Sequence, residues 1–87
     1  SRELIANDVN LISVDHIEGE MRVKAKVRYR HEEQWATVTQ LEPDKIRVVF
    51  DEPQRAITCG QAVVLYDGDV VVGGATIIET EIAKRYS

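Results

Sequence analysis

The chain has 87 residues, of which 44% are hydrophobic and 30% are charged, and its formal net charge at pH 7 is −4. This composition is typical of a folded domain and excludes a disordered chain. A domain of this size buries about 60–65% of the surface that its unfolded chain exposes, so it has one core and no room for a deep substrate cleft. The negative charge argues against coating nucleic acid through bulk charge, but it allows a local basic surface.

The cysteine content and the hydrophobic pattern favour a cytoplasmic protein. Cys59 is the only cysteine, which excludes an internal disulfide framework and fits a reducing compartment. No uncharged apolar run approaches the roughly 18 residues of a membrane span, and no signal peptide is visible, so we expect no membrane contact. The sequence begins with Ser1 rather than methionine, which suggests a chain that was either processed or excised from a longer one.

Strand signals follow one another along the whole chain. The clearest is segment 21–30, in which apolar and basic residues alternate over ten positions. Strict alternation is typical of a half-buried strand, because a helix would scatter both sets around its axis. Other strands are predicted from β-branched and apolar runs between turn residues. They are 9–14, 35–41, 45–50, 61–66 and 69–72, with 75–78 as a continuation. Turns are expected at Asn7-Asp8, 31–34, 42–44 and 51–53.

The strongest hairpin signal is Asp67-Gly68 between two apolar segments. Asp-Gly suits the two positive-φ positions of a type I′ turn, which predicts a two-residue loop. Both faces of this hairpin are apolar, so its outer face needs a cover or stays exposed. Gly73-Gly74 predicts a bulge or a close backbone approach. The cross-strand pairs predicted for the loop are Leu65 with Val70, Val64 with Val71 and Val63 with Val72.

No segment has a convincing helical period, and strand signals recur roughly every 8–12 residues. The sequence therefore predicts an all-β fold, a small antiparallel β-barrel of about six strands, in which closure removes the exposed edges. We expect residues 1–87 to form a single domain, with residues 1–8 as a leader and residues 82–87 as a tail.

A row of basic side chains is the main candidate binding site. Alternate residues of a strand lie about 6.6 Å apart, close to the phosphate repeat of an extended nucleic-acid strand. The alternative is a solvated face on which each cation pairs with a carboxylate of a neighbouring strand, at less than about 1 kcal/mol per pair. We call this row the basic strip, and its members are Arg22, Lys24, Lys26, Arg28 and Arg30.

Arg55 is a sixth candidate for RNA contact, because its irregular segment is suited to the rim of a barrel. The alternative for Arg55 is an ion pair with Asp51 or Glu52. Tyr29 lies on the apolar side of its strand, which favours core packing over base stacking. Trp35 begins a strand, so both base stacking at the rim and packing stay open.

The other reactive residue types do not form a recognisable site. Cys59 has Arg55 as its only nearby cation in sequence and no adjacent histidine, which favours an incidental thiol over a nucleophile. His16, His31 and Cys59 lack metal-ligand spacing. We therefore predict no catalytic, cofactor-binding or metal-binding residue in this chain.

Two stretches carry a resemblance to a known family. They are VKAKVRYR, which begins at Val23, and DEPQRAITCGQAVVLYDGDVVVGGATI, which begins at Asp51. In this order, and together with the opening NDVNLISV, they resemble the C-terminal domain of bacterial tRNA-specific 2-thiouridylases over nearly the whole chain. Cys59 departs from the family, which usually has proline there, so the family gives no precedent for a function of this thiol.

The resemblance implies a parent enzyme that replaces the C2 oxygen of the wobble uridine in certain tRNAs with sulfur. ATP adenylates that oxygen, which is a poor leaving group, and a cysteine persulfide delivers the sulfur. The ATP loop and the two reactive cysteines belong to another domain of the family, so none of these residues maps onto this chain and the fragment alone is expected to be inert.

The resemblance also implies that this domain is a barrel similar to those of translation factors, which helps to frame tRNA and packs on the other domains. The implied partners are tRNA, the other domains and, for the parent, a sulfur carrier. A weak homodimer through the apolar hairpin is also expected. Two alternatives stay open, namely a structural or protein-docking barrel without RNA contact and a stand-alone enzyme that uses Cys59.

Overall fold

The computed structural model describes residues 2–27, 33–53, 57 and 59–80. Neighbouring strands are antiparallel throughout and close into a barrel in the order β1–β4–β3–β2–β5–β6, with β6 pairing with β1. The predicted six-stranded antiparallel barrel is therefore confirmed. Among the described residues there is no helix that is long and apolar enough to cross a membrane. The strands are β1 (Glu3–Leu11), β2 (Glu20–Lys26), β3 (Gln34–Glu42), β4 (Lys45–Phe50), β5 (Ala62–Asp67) and β6 (Val70–Thr80).

The core fills the inside of the barrel and is built from alternate residues of each strand. In β2, Val23 and Ala25 are buried, while the basic residues between them lie on the outer face. Phe50 is the largest fully buried side chain. Because side chains alternate between the two faces of a strand, this burial decides which residues of each strand reach the outside. Other fully buried side chains include Leu4, Val38, Ile46, Val48, Val63, Leu65, Val72 and Ile77.

Strand β1 differs from its prediction. It runs through Asn7 and Asp8 and ends at Leu11, so the turn predicted at Asn7-Asp8 is wrong and residues 3–8 are part of the barrel. Asp8 takes a φ of 53°, and the register with β6 shifts between Asn7 and Asn10. Aspartate tolerates the left-handed region better than most residues, and this preference serves a bulge within a strand as well as a turn.

The β5–β6 hairpin forms, but its turn lies one residue further along than predicted. Gly68 and Asp69 are the central residues, and Asp67 pairs with Val70. Gly68 has a φ of 62°, whereas Asp69 does not take a positive φ. This sign pattern fits a type II′ turn with glycine first, which spares aspartate the cost of a left-handed conformation.

A register shift follows this turn, and the predicted pairs of the hairpin are therefore wrong. The shift lies between Leu65 and Tyr66, so Leu65 pairs with Gly73, and Val64 pairs with Gly74. The bulge predicted near the two glycines is confirmed. The predicted close approach of two backbones is also confirmed, because a Cβ on Gly73 would lie 2.5 Å from the backbone oxygen of Asn10.

Candidate nucleic-acid interface

The described part of the basic strip lies on the outer face of the barrel. Arg22, Lys24 and Lys26 face outwards, because each alternates with an inward-facing residue of β2. Arg22 is exposed, and the two lysines are half-buried. The common face predicted from the alternation is therefore present for these three side chains. The other three candidates, Arg28, Arg30 and Arg55, lie outside the described residues.

Trp35 lies on the same outer face, where it is exposed and is not part of the buried core. The register pairs Lys24 with Trp35 of β3 on one side and with Tyr66 of β5 on the other. Trp35 is 51% exposed, and Tyr66 is half-buried. The three residues form a row across three neighbouring strands, which we call the aromatic row: Trp35, Lys24 and Tyr66.

Two cations of β2 lie against the indole ring of Trp35. The guanidinium carbon of Arg22 is 5.5 Å from the ring centroid, and Nζ of Lys24 is 5.4 Å from it. Cation–π contacts at such distances contribute about 0.5–1 kcal/mol each at exposed sites. They favour the observed position of Trp35 on the surface, beside the basic strip.

Arg22 is also held by a carboxylate. Its Nη1 and Nη2 donate hydrogen bonds to Oδ1 and Oδ2 of Asp51, at 2.6 and 2.7 Å, and Nη1 donates to Oγ1 of Thr37 at 3.1 Å. The hydrogen bond from Arg22 lowers the pKa of Asp51, and the same bond raises the pKa of Arg22. The guanidinium is thus fixed and largely neutralised. For Arg22, this agrees with the alternative given above, in which each cation of the strip pairs with a carboxylate of a neighbouring strand.

The two lysines of the strip differ from Arg22. Within residues 2–27, 33–53, 57 and 59–80, neither Lys24 nor Lys26 forms an ion pair. The cations of β4 behave otherwise, because Lys45 pairs with Glu42 at 3.0 Å and Arg47 pairs with Glu3 at 2.9 Å. Positive charge without a described carboxylate partner is therefore present on β2, beside Trp35.

The remaining reactive residues are exposed and far apart in the chain. Cys59 donates a hydrogen bond through Sγ to the backbone oxygen of Ile78, at 3.2 Å. His16 shares a hydrogen bond with Oε1 of Glu18 at 2.8 Å. In the described part of the chain, no three His, Cys, Asp or Glu side chains are grouped so that they could hold a metal ion. His31 lies outside that part.

An apolar groove opens elsewhere on the outer surface. It has a volume of about 320 Å³ and lies where the start of β6 meets the end of β1. Ile12 is 67% exposed and Val71 is 36% exposed in its lining, and Val70 beside it is 52% exposed. We call this surface the apolar groove: Ile12, Val64, Val71 and the backbone of Gly73 and Gly74.

Comparisons with known proteins agree with this fold. Residues 1–77 match the family described as the aminomethyltransferase β-barrel domain. Over 77 residues the chain is 60% identical to the tRNA-specific 2-thiouridylase MnmA of Acetivibrio thermocellus, which covers 88% of this chain and 21% of that protein. The protein of the same name from Clostridioides difficile is 57% identical over 76 residues, which covers 87% of this chain and 21% of that protein.

The chain thus spans about a fifth of the length of the curated relatives that it matches. The match includes the basic strip, the aromatic row and all six strands up to Ile77. The resemblance to the barrel domain of the 2-thiouridylases is therefore confirmed. The chain belongs to the aminomethyltransferase β-barrel domain family.

Proposed function

We propose that this barrel is the non-catalytic C-terminal domain of a tRNA 2-thiouridylase and that it helps to hold the tRNA. The similarity to proteins named tRNA-specific 2-thiouridylase supports the identity of the parent. The observation that carries the RNA contact is the position of Lys24 and Lys26 on the outer face of β2, without a carboxylate partner among the described residues and next to the exposed Trp35.

In this proposal, the sulfur chemistry takes place in other domains of a cytoplasmic parent. There, ATP adenylates the C2 oxygen of the wobble uridine and releases pyrophosphate. The outer sulfur of a cysteine persulfide, which a sulfur carrier loads, then displaces that oxygen as AMP, and the second reactive cysteine cleaves the S–S bond to leave a disulfide. The barrel contributes binding and orientation. Holding a reactant in position lowers the barrier of a reaction without any contact between the holding domain and the reacting atoms.

Phosphate contact is the chemistry that the two lysines suit best. They are two residues apart on one face, so their Cα atoms lie about 6.6 Å apart along the strand. Each lysine that neutralises a phosphate releases counterions, which makes binding depend on salt. Arg22 contributes less to this term, because its guanidinium already binds Asp51 at 2.6 Å.

The test is a titration of the chain with tRNA at about 50 and 200 mM salt. The variant Lys24→Gln/Lys26→Gln should weaken binding and reduce the slope of log K against log[salt] by roughly 1.4–1.8, which corresponds to two lost phosphate contacts. The matched control is Lys45→Gln/Arg47→Gln, which removes the same charge from β4. An equal loss of affinity in both variants would show attraction by net charge alone and would contradict a binding face on β2.

A second candidate function is docking on another protein domain, and the apolar groove favours it. Ile12, Val70 and Val71 are exposed there, although large apolar side chains are normally covered when they cluster. This function predicts no measurable affinity for tRNA, and it predicts protection of Ile12 from solvent when the other domains of the parent are added. The same surface would carry the weak homodimer expected of the isolated chain, which sedimentation at increasing concentration measures.

A further inference from the structure

We propose that the aromatic row is a stacking platform for an unpaired nucleotide, so that the barrel binds single-stranded RNA in preference to a duplex. The proposal deepens the proposed function, on which it rests, by naming the form of RNA that the outer face of β2 accepts. Trp35 takes the base on its ring. Lys24 and Lys26 take the flanking phosphates.

The geometry of the sheet supports a platform rather than a single contact. Lys24 is the register neighbour of both Trp35 and Tyr66, so the two aromatic rings start from strands on either side of it. Neighbouring strands lie about 4.8 Å apart, which places the two backbone positions roughly 10 Å apart. Aromatic side chains on the outer face of a sheet, with cations between them, are the arrangement on which unpaired bases stack.

Arg22 acts here as a positioning residue. It donates two hydrogen bonds to Asp51 and one to Thr37, so its guanidinium is fixed from two directions. From that fixed position its central carbon lies 5.5 Å from the centroid of the Trp35 ring. A ring that is held in place loses less conformational entropy when a base stacks on it.

Charge and access together favour RNA over a protein partner at this surface. The positive charge of Lys24 and Lys26 has no described carboxylate partner, in a chain whose formal net charge is −4. About half of the surface of Trp35 is exposed, which leaves room for a planar ligand. A duplex offers phosphates but exposes base faces only at its two ends, because its other bases are stacked on one another, whereas the bases of an unpaired strand are accessible along its length.

Trp35 is the only tryptophan, so the fluorescence of the chain reports directly on the proposed contact. The probe is a single-stranded RNA of about ten nucleotides, compared with the blunt duplex that it forms with its complement. Fluorescence anisotropy of a dye on the RNA measures binding, and tryptophan emission measures stacking. We expect the single strand to bind and to quench Trp35, and the duplex to bind at least several-fold more weakly with little quenching.

Three variants separate stacking from charge. Trp35→Ala should weaken binding of the single strand about 5- to 150-fold, a range set by the measured cost of losing one base–aromatic stack. Trp35→Phe, which keeps an aromatic face, should recover most of that loss. Leu41→Ala is the control, because Leu41 is 48% exposed near the opposite end of β3 and carries no proposed contact.

The outcomes distinguish this inference from the proposed function. If Lys24→Gln/Lys26→Gln weakens binding but Trp35→Ala does not, and emission is unchanged, phosphate binding stands and the stacking platform is refuted. Equal affinity for strand and duplex also refutes it. If neither RNA nor tRNA binds, both proposals fail. A change in Trp35 emission that appears only with another domain of the parent would assign the aromatic row to protein docking and overturn the inference.

Discussion

Gly73 lies between two strands at the seam where the barrel closes, and replacing it with alanine tests how much that closure depends on close backbone contact. Its register partners are Leu11 in β1 and Leu65 in β5. A Cβ at this position would lie 2.5 Å from the backbone oxygen of Asn10 and 3.0 Å from Cα of Leu11. Both of these atoms belong to the backbone of β1, so no side-chain rotation can relieve the contact.

The size of the effect follows from these distances. An ordinary contact of a Cβ begins near 3.4 Å, so β1 and β6 must separate by about 0.9 Å at this point. Overpacking of a buried position costs about 1–3 kcal/mol. We expect a cost near the top of that range for Gly73→Ala, about 2–3 kcal/mol, because rigid backbone must move. For a domain of this size, this loss lowers Tm by roughly 10–20 °C.

Gly74→Ala is the matched control, one residue further along β6. A Cβ there would meet only the backbone oxygen of Val63, at 3.4 Å, which is an ordinary contact. Alanine restricts the unfolded chain more than glycine does, so this variant should be neutral or more stable by up to about 1 kcal/mol. Urea unfolding followed by circular dichroism measures both variants. Equal stability of Gly73→Ala and Gly74→Ala would refute the argument from the close approach.

Two further predictions concern the surface pair and the core. Because the hydrogen bond from Arg22 lowers the pKa of Asp51, its NMR titration should have a midpoint below the ordinary value of 3.8, and Arg22→Gln should move it back up. This ion pair stabilises the fold above the ordinary pKa of aspartate, and its stabilisation is lost as the pH falls through the lowered pKa of Asp51. An unchanged titration midpoint of Asp51 in Arg22→Gln would rule out this stabilisation. Phe50→Ala should cost about 3–5 kcal/mol in urea unfolding, because it empties the largest fully buried site; a cost below about 1 kcal/mol would mean that the barrel collapses around the gap.

Alternation of side chains makes the outer face of β2 predictable from the sequence. Val23 and Ala25 must be buried in a barrel of this size, so Arg22, Lys24 and Lys26 must face outwards. The bounds of β4 are predictable for a similar reason, because Pro43-Asp44 and Asp51-Glu52-Pro53 interrupt the apolar pattern on both sides. Where the pattern of buried residues and the turn residues indicate the same boundaries, a short sequence is enough to predict a strand.

Register and the extent of β1 are not predictable in this way. A turn at residues 31–34 would place Trp35 opposite Arg30, whereas Trp35 pairs with Lys24 and Gln34 already belongs to β3. The polar composition of residues 31–34 marks a place where the strand pattern weakens, but it does not say where the chain reverses. Asn7-Asp8 misleads for a related reason, because its tolerance of a positive φ suits a bulge within β1 equally well.

The contacts that join Arg22, Trp35 and Asp51 are the part of the candidate site that the sequence does not show. Arg22, Trp35 and Asp51 come from three different segments, and only the strand order β4–β3–β2 makes them neighbours. An alternating strand with one bulky aromatic residue near the start of the next is the signal that the sequence offers. What this signal predicts depends on which cation lies opposite the aromatic residue. The register between the two strands determines that cation, and neither segment alone shows it.

Strand β1 pairs with β4 on one side and with β6 on the other, and Leu4 is the register partner of Thr80. The first strand of the barrel to be synthesised, β1, therefore cannot form the hydrogen bonds of its second edge until the last strand, β6, has been made. Until then, the nascent chain carries a ribbon with one unpaired side. Contacts that span so much of a chain slow folding relative to helical domains. Synthesis from the amino end consequently leaves this barrel open until its sixth strand has been made.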